Sequence, residues 1–118
     1  MLCEVRYASE TRQLRQAVSS DPYAGQVIDF EGRFRFKAVV LGTPDRIEHI
    51  TLTVYELGLG DAPVIIQQVR HQAPFQLGAT LPALTGWNLV YAKHLGRELR
   101  YGCALQAEAP AVSKEVLP

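Results

Sequence analysis

The stretch QVIDFEGRFRFKAVVLG, residues 26–42, alternates between apolar and charged side chains over most of its length. Ile28, Phe30, Phe34, Phe36, Ala38 and Val40 occupy even positions, while Asp29, Glu31, Arg33, Arg35 and Lys37 occupy odd ones. Successive side chains of an extended chain point to opposite faces, so the pattern demands a strand with a core face and a wet face. Gly32 interrupts the apolar row and marks a bulge or bend.

The same period recurs downstream. HITLTVYEL (49–57) sets Ile50, Leu52 and Val54 against Thr51, Thr53 and Tyr55. VIIQQVRHQ (64–72) is rich in β-branched residues, and a short alternation follows in Phe75, Leu77 and Ala79. WNLVYAK (87–93) and RELRYGCALQ (97–106) complete the set, joined through a hairpin that contains His94 and Gly96. Ahead of these strands, Leu14, Ala17 and Val18 stand at helical spacing with Ser9 as an N-cap, which predicts one short helix over 9–19. Six or seven short strands after one helix point to an all-β domain, an antiparallel β-sandwich or small barrel. Residues 1–118 form one domain in this reading, with 1–24 as an N-terminal arm and helix and 108–118 as a loose tail.

Composition narrows the function. Twelve basic and twelve acidic residues balance to a net charge of zero, without the cationic excess of a nucleic-acid binder or a polybasic membrane protein. No apolar run approaches the roughly 20 residues that span a bilayer. The N-terminal MLCEVRYASE lacks the apolar core of a signal peptide, so the chain is expected to be cytosolic or to have lost a leader. Two cysteines are too few for a disulfide framework. Cys103, on an alternating apolar row, reads as a buried thiol, and Cys3 as an exposed thiol near a frayed end.

No catalytic constellation emerges. ELGLGDAPVII (56–66) lacks the third glycine of a dinucleotide loop and the Gly-Lys-Ser/Thr of a P-loop, and a strand former follows it instead of a helix. It is a turn, with Gly58 and Gly60 supplying positive φ and Pro63 opening a strand. His49, His71 and His94 show no ligand spacing, so neither a metal nor another cofactor is implied. Asp29 and Glu31 share their strand face with Arg33, Arg35 and Lys37, as neutralised charges on a solvated surface do. The balance moves toward binding or assembly.

The order of segments carries a resemblance. Ile50-Thr51-Leu52-Thr53-Val54, then Asp61-Ala62-Pro63, then Val64-Ile65-Ile66, then Pro74-Phe75 follow one another across roughly residues 32–107. This resembles the small β-sandwich lipoproteins of the YbaY/YscW kind, which include the secretin pilot proteins (pilotins) of some type III secretion systems. Glu56 and Gly58 stand where that family carries an acid and a serine. The resemblance implies a non-catalytic protein on the periplasmic side of the outer membrane. It would bind the C-terminal tail of a secretin subunit and assist its targeting and assembly. It also implies lipidation of an N-terminal cysteine, for which Cys3 is the candidate, although Leu2 precedes it where the motif has a small residue. A groove with apolar anchors is expected for the tail, with Tyr55, Trp87 and Tyr91 as candidates. Arg33, Arg35 and Lys37 would meet acidic residues of the partner. Two other readings stay open: an envelope lipoprotein of different function, and a small barrel holding an apolar ligand among Phe30, Phe34, Phe36 and Leu52.

Overall fold

The computed structural model describes residues 1–58, 60, 62–93 and 96–106. Eight strands run in chain order: β1 (Leu2–Tyr7), β2 (Glu10–Arg15), β3 (Gln26–Phe30), β4 (Phe34–Thr43), β5 (Arg46–Glu56), β6 (Val64–Gln72), β7 (Asn88–Ala92) and β8 (Arg97–Ala104). They form two antiparallel four-stranded sheets, β2-β1-β8-β7 and β3-β4-β5-β6. The architecture is the small β-sandwich expected from the alternation.

The long alternating stretch is not one strand with a bulge. It is a hairpin, β3 and β4, turning through Glu31-Gly32-Arg33, with Phe30 paired opposite Phe34. Glu31 and Gly32 both take left-handed φ (51° and 69°), and the Arg33 N–H closes the turn on the Phe30 carbonyl at 2.8 Å. A turn of this length returns the chain on the same side, so Phe30 and Phe34 both face the core and the period passes through unbroken.

The helix expected over 9–19 is absent. Its first part is strand β2, reached from β1 by a tight turn at Ala8-Ser9 in which Ala8 has φ of 56°. Ser9 lies in that turn and caps nothing. Pairing with β1 overrides the local helical spacing, because it sets Leu14 opposite Cys3 and buries both. The outward positions of this edge strand include Thr11 and Gln13, with Glu10, Arg12 and Arg15 nearby, so the edge is polar and discourages further pairing. Phe75, Leu77 and Ala79 are likewise not a strand. They belong to the connection between β6 and β7, where Gly78 N–H bonds the Leu105 carbonyl and Leu84 N–H the Cys103 carbonyl.

Between the sheets lies one apolar core. Phe30, Phe34, Phe36 and Leu52 are fully buried within it, as in a packed sandwich interior. Tyr7 stands edge-on to Phe34 at 5.0 Å and Phe36 lies 5.0 Å from Tyr101, so aromatic contacts cross from one sheet to the other. Each buried aromatic ring or Leu contributes roughly 1.5–3 kcal/mol by burial. Tyr101 adds a polar tie, donating its hydroxyl to Gln67 Oε1 at 2.7 Å across the interface.

Cys3 and Cys103 are neither an exposed thiol nor a free buried one. They are register partners on β1 and β8, fully buried and joined in a disulfide. Cys3 sits inside a paired strand, not at a frayed end. The tail assigned to 108–118, together with Asp61 and His94, lies outside the described residues.

Candidate functional site

Strand β7 ends its sheet, and among the described residues no strand pairs with its outer edge. Val90 and Ala92 point inward and are buried. The alternate positions point out, and all three are large and apolar: Trp87, Leu89 and Tyr91 are 42%, 62% and 63% exposed. An edge strand normally carries charge or proline to prevent further pairing. A row of this kind on an open edge is a candidate interaction surface.

Its neighbours on β8 and β1 shape the row. Leu89 pairs with Arg100 and Tyr91 with Glu98, while Arg100 in turn pairs with Arg6 on β1. The Arg100 guanidinium lies 4.3 Å from the centre of the Trp87 ring and 3.9 Å from the Glu4 carboxylate. Its Nε is buried and has no hydrogen-bond partner among the described residues. The stack and the ion pair therefore hold this arginine, and the arginine holds the indole. From below, Gly102 lets the indole come close. A Cβ there would stand 2.6 Å from the Trp87 ring and 2.7 Å from Pro82. Arg6, Ala8, Glu98 and Arg100 line an open depression of about 360 Å³ beside the row. The surface thus offers apolar contacts along a strand edge, bordered by alternating cations and carboxylates. Chemically it is suited to hold an extended chain.

The six partner-binding candidates divide between the two sheets, with Lys37 on β4 opposite Thr53. Trp87 and Tyr91 come together here. Tyr55 and Arg35 are register partners on the outward face of the other sheet, where Arg35 Nε is bound to Asp29 Oδ1 at 2.8 Å. Arg33 lies in the β3–β4 turn. Sequence reasoning passed over Leu89, although it occupies the position between Trp87 and Tyr91 in the alternation. Arg100 left no such signal, because its stacking depends on a strand pairing. Cys3 is not free for lipidation in this structure: the sulfur that would carry the lipid is bonded to Cys103 and buried.

Elsewhere, among the described residues, no group of His, Cys, Asp and Glu is placed to hold a metal ion. Burial lowers the pKa of His71 below its ordinary 6.5. No protein-family model, curated protein or solved structure matches the chain.

Proposed function

We propose that this protein is a non-catalytic binding module that captures a segment of a partner protein along the edge of β7. The reading takes its partner from the resemblance to the pilotins, namely the C-terminal tail of an outer-membrane secretin subunit. The observation that carries it is the exposed row of Trp87, Leu89 and Tyr91 on an unpaired strand edge. An extended segment adding to that edge would gain main-chain hydrogen bonds from the strand and side-chain contacts from the row. Trp and Tyr are the residue types that dominate such interfaces. In this reading the protein works on the periplasmic side of the outer membrane, an oxidising setting that suits the Cys3–Cys103 disulfide.

The test is a calorimetric titration of the full chain with the last ~40 residues of the type III secretin from the same genome, a length of several helical turns. The reading expects micromolar or tighter binding with a negative heat-capacity change from apolar burial. Trp87→Ala should weaken it by about tenfold or more. Absence of heat from a folded protein would remove the secretin as partner, and unchanged affinity in Trp87→Ala would remove the row as the site.

A further inference from the structure

The outward face of the second sheet is built differently, and the register across β4, β5 and β6 lays it out as a grid. One row is Arg35–Tyr55–Ile65, the next Lys37–Thr53–Gln68, the next Val39–Thr51–Arg70, and then come Leu41 and His49. Along the β4 side of it runs the segment 16–25 that connects the two sheets, with Pro22 reaching the outward face. This strap is pinned: Ser19 N–H donates to the Val40 carbonyl and Gly42 N–H donates to the Ser19 carbonyl, both at 2.9 Å. It is also knotted on itself, with Asp21 N–H on Ser19 Oγ and Tyr23 N–H on Asp21 Oδ1. The segment lies against the outward residue Val39, which is buried: a Cβ at Gly25 would stand 2.8 Å from a Val39 methyl.

Between strap and sheet runs a groove of about 230 Å³, walled by Pro22 on one side and Tyr55 on another, with Thr51 and Thr53 in its floor. Lys37 and Arg70 also line it, two strands and two residues apart, about 12 Å between backbones. Glycine at position 25 makes room for the lysine stem: a Cβ there would meet Lys37 Cε at 3.0 Å and the Ala38 carbonyl at 2.7 Å.

Among the described residues, no carboxylate lines the groove. Of the acids on flanking segments, Asp29 is held by Arg35 and Asp21 by the Tyr23 N–H. Among the described residues neither Lys37 nor Arg70 has an ion-pair partner. Gln68 already donates to Thr53 Oγ1 at 3.1 Å, which leaves the Thr53 hydroxyl proton to donate elsewhere. A small space is therefore lined by a guanidinium, an ammonium, the Thr53 hydroxyl, and the Thr51 hydroxyl beside the His49 ring at 3.5 Å, with no carboxylate lining it among the described residues. That set matches the several oxygens of a tetrahedral dianion better than the two of a carboxylate.

We propose that this groove binds a phosphomonoester group, held between Lys37 and Arg70 above Thr51 and Thr53. The site is distinct from the β7 row and lies on the opposite outward face of the sandwich. The same group could arrive on a free small molecule or on a lipid headgroup. The size of the groove admits the phosphate and only a few further atoms, with Tyr55 as the surface against which they pack.

The full chain, labelled with ¹⁵N, should be titrated with glycerol 3-phosphate and, in a parallel arm, sedimented with phosphatidylcholine vesicles with and without phosphatidic acid. The proposal expects saturable shifts at Thr51, Thr53 and Arg70, with a dissociation constant of about 1 mM or tighter. Lys37→Gln and Arg70→Gln should each weaken binding by about tenfold or more, whereas Arg100→Gln, on the other face, should leave it unchanged. Shifts with the soluble ester assign a free ligand. Binding confined to phosphatidic-acid vesicles and lost in Arg70→Gln assigns a headgroup. Shifts that never saturate, or binding that survives Arg70→Gln with the fold intact, overturn the site, as does the absence of binding in both arms.

Discussion

The two outward faces of this sandwich come from the same kind of sequence, strands in which every second residue turns away from the core, yet they differ in chemistry. On the first sheet the outermost strand carries Trp87, Leu89 and Tyr91, with arginines and glutamates behind them. On the second the central strands carry Lys37, Thr51, Thr53 and Tyr55, and Pro22 of the strap borders them. Alternation decides which residues leave the core; position in the sheet decides what those residues are suited to do. An open edge offers backbone and side chains to another chain. A central face offers side chains alone, to something small.

The largest expected effect lies at the disulfide, which belongs to the first sheet alone. Cys3 and Cys103 are 100 residues apart in sequence, and closing so long a loop stabilises a fold by about 4–5 kcal/mol in the chain-entropy model. The Cys3→Ala, Cys103→Ala double variant should lose a large part of that in denaturant unfolding. The wild-type chain should titrate with no free thiol, in keeping with the absence of free cysteines. Wild-type unfolding that is insensitive to reductant would show that the bridge adds nothing.

A more selective cut is Gly102→Val. The new side chain would occupy the space of the Trp87 ring and Pro82, at a cost of about 1–3 kcal/mol for overpacking. Tryptophan emission should shift to the red and tail binding should fall, while phosphate binding on the other face stays. Loss of both together would mean that the faces are not independent.

The tie between the sheets is testable through pH. Burial pushes the Tyr101 hydroxyl up to about 12 from an ordinary 10. The unfolded chain therefore gives up this proton first, so stability is full below pH 10 and declines as pH rises toward 12. Tyr101→Phe should flatten that decline. His71 acts at the other end of the scale. Its lowered pKa means that the folded state binds a proton less readily than the unfolded one, so its contribution is intact above pH 6.5 and fades below it. The smallest effect belongs to Asp29→Asn. The Arg35–Asp29 pair is largely solvated, and its loss should cost less than about 1 kcal/mol.

What the sequence discloses follows from these same physics. Strands β4, β5, β7 and β8 are legible because apolar and polar residues alternate along them, and β6, which has no buried residue, through its β-branched residues. The β3–β4 turn is not, since Phe30 and Phe34 keep the same parity on either side of it. Strand β2 is illegible for another reason: it buries only Leu14 well, and its hairpin turns at Ala8, where no glycine announces the positive φ. The disulfide depends on a pairing between the two ends of the described chain, which no local pattern encodes. In the β7 row, Trp87 and Tyr91 are legible as aromatics at a strand end and on a wet strand face. Arg100 and the strap beside Lys37 are not, because each becomes meaningful only when distant segments meet.

The most direct test of the account is a ¹⁵N-labelled titration with the secretin tail, followed residue by residue. The account predicts shifts concentrated at the Trp87 indole, Leu89, Tyr91 and Arg100, with Thr51 and Arg70 unmoved. Shifts centred on Thr51 and Arg70, or none at saturating peptide, would contradict it.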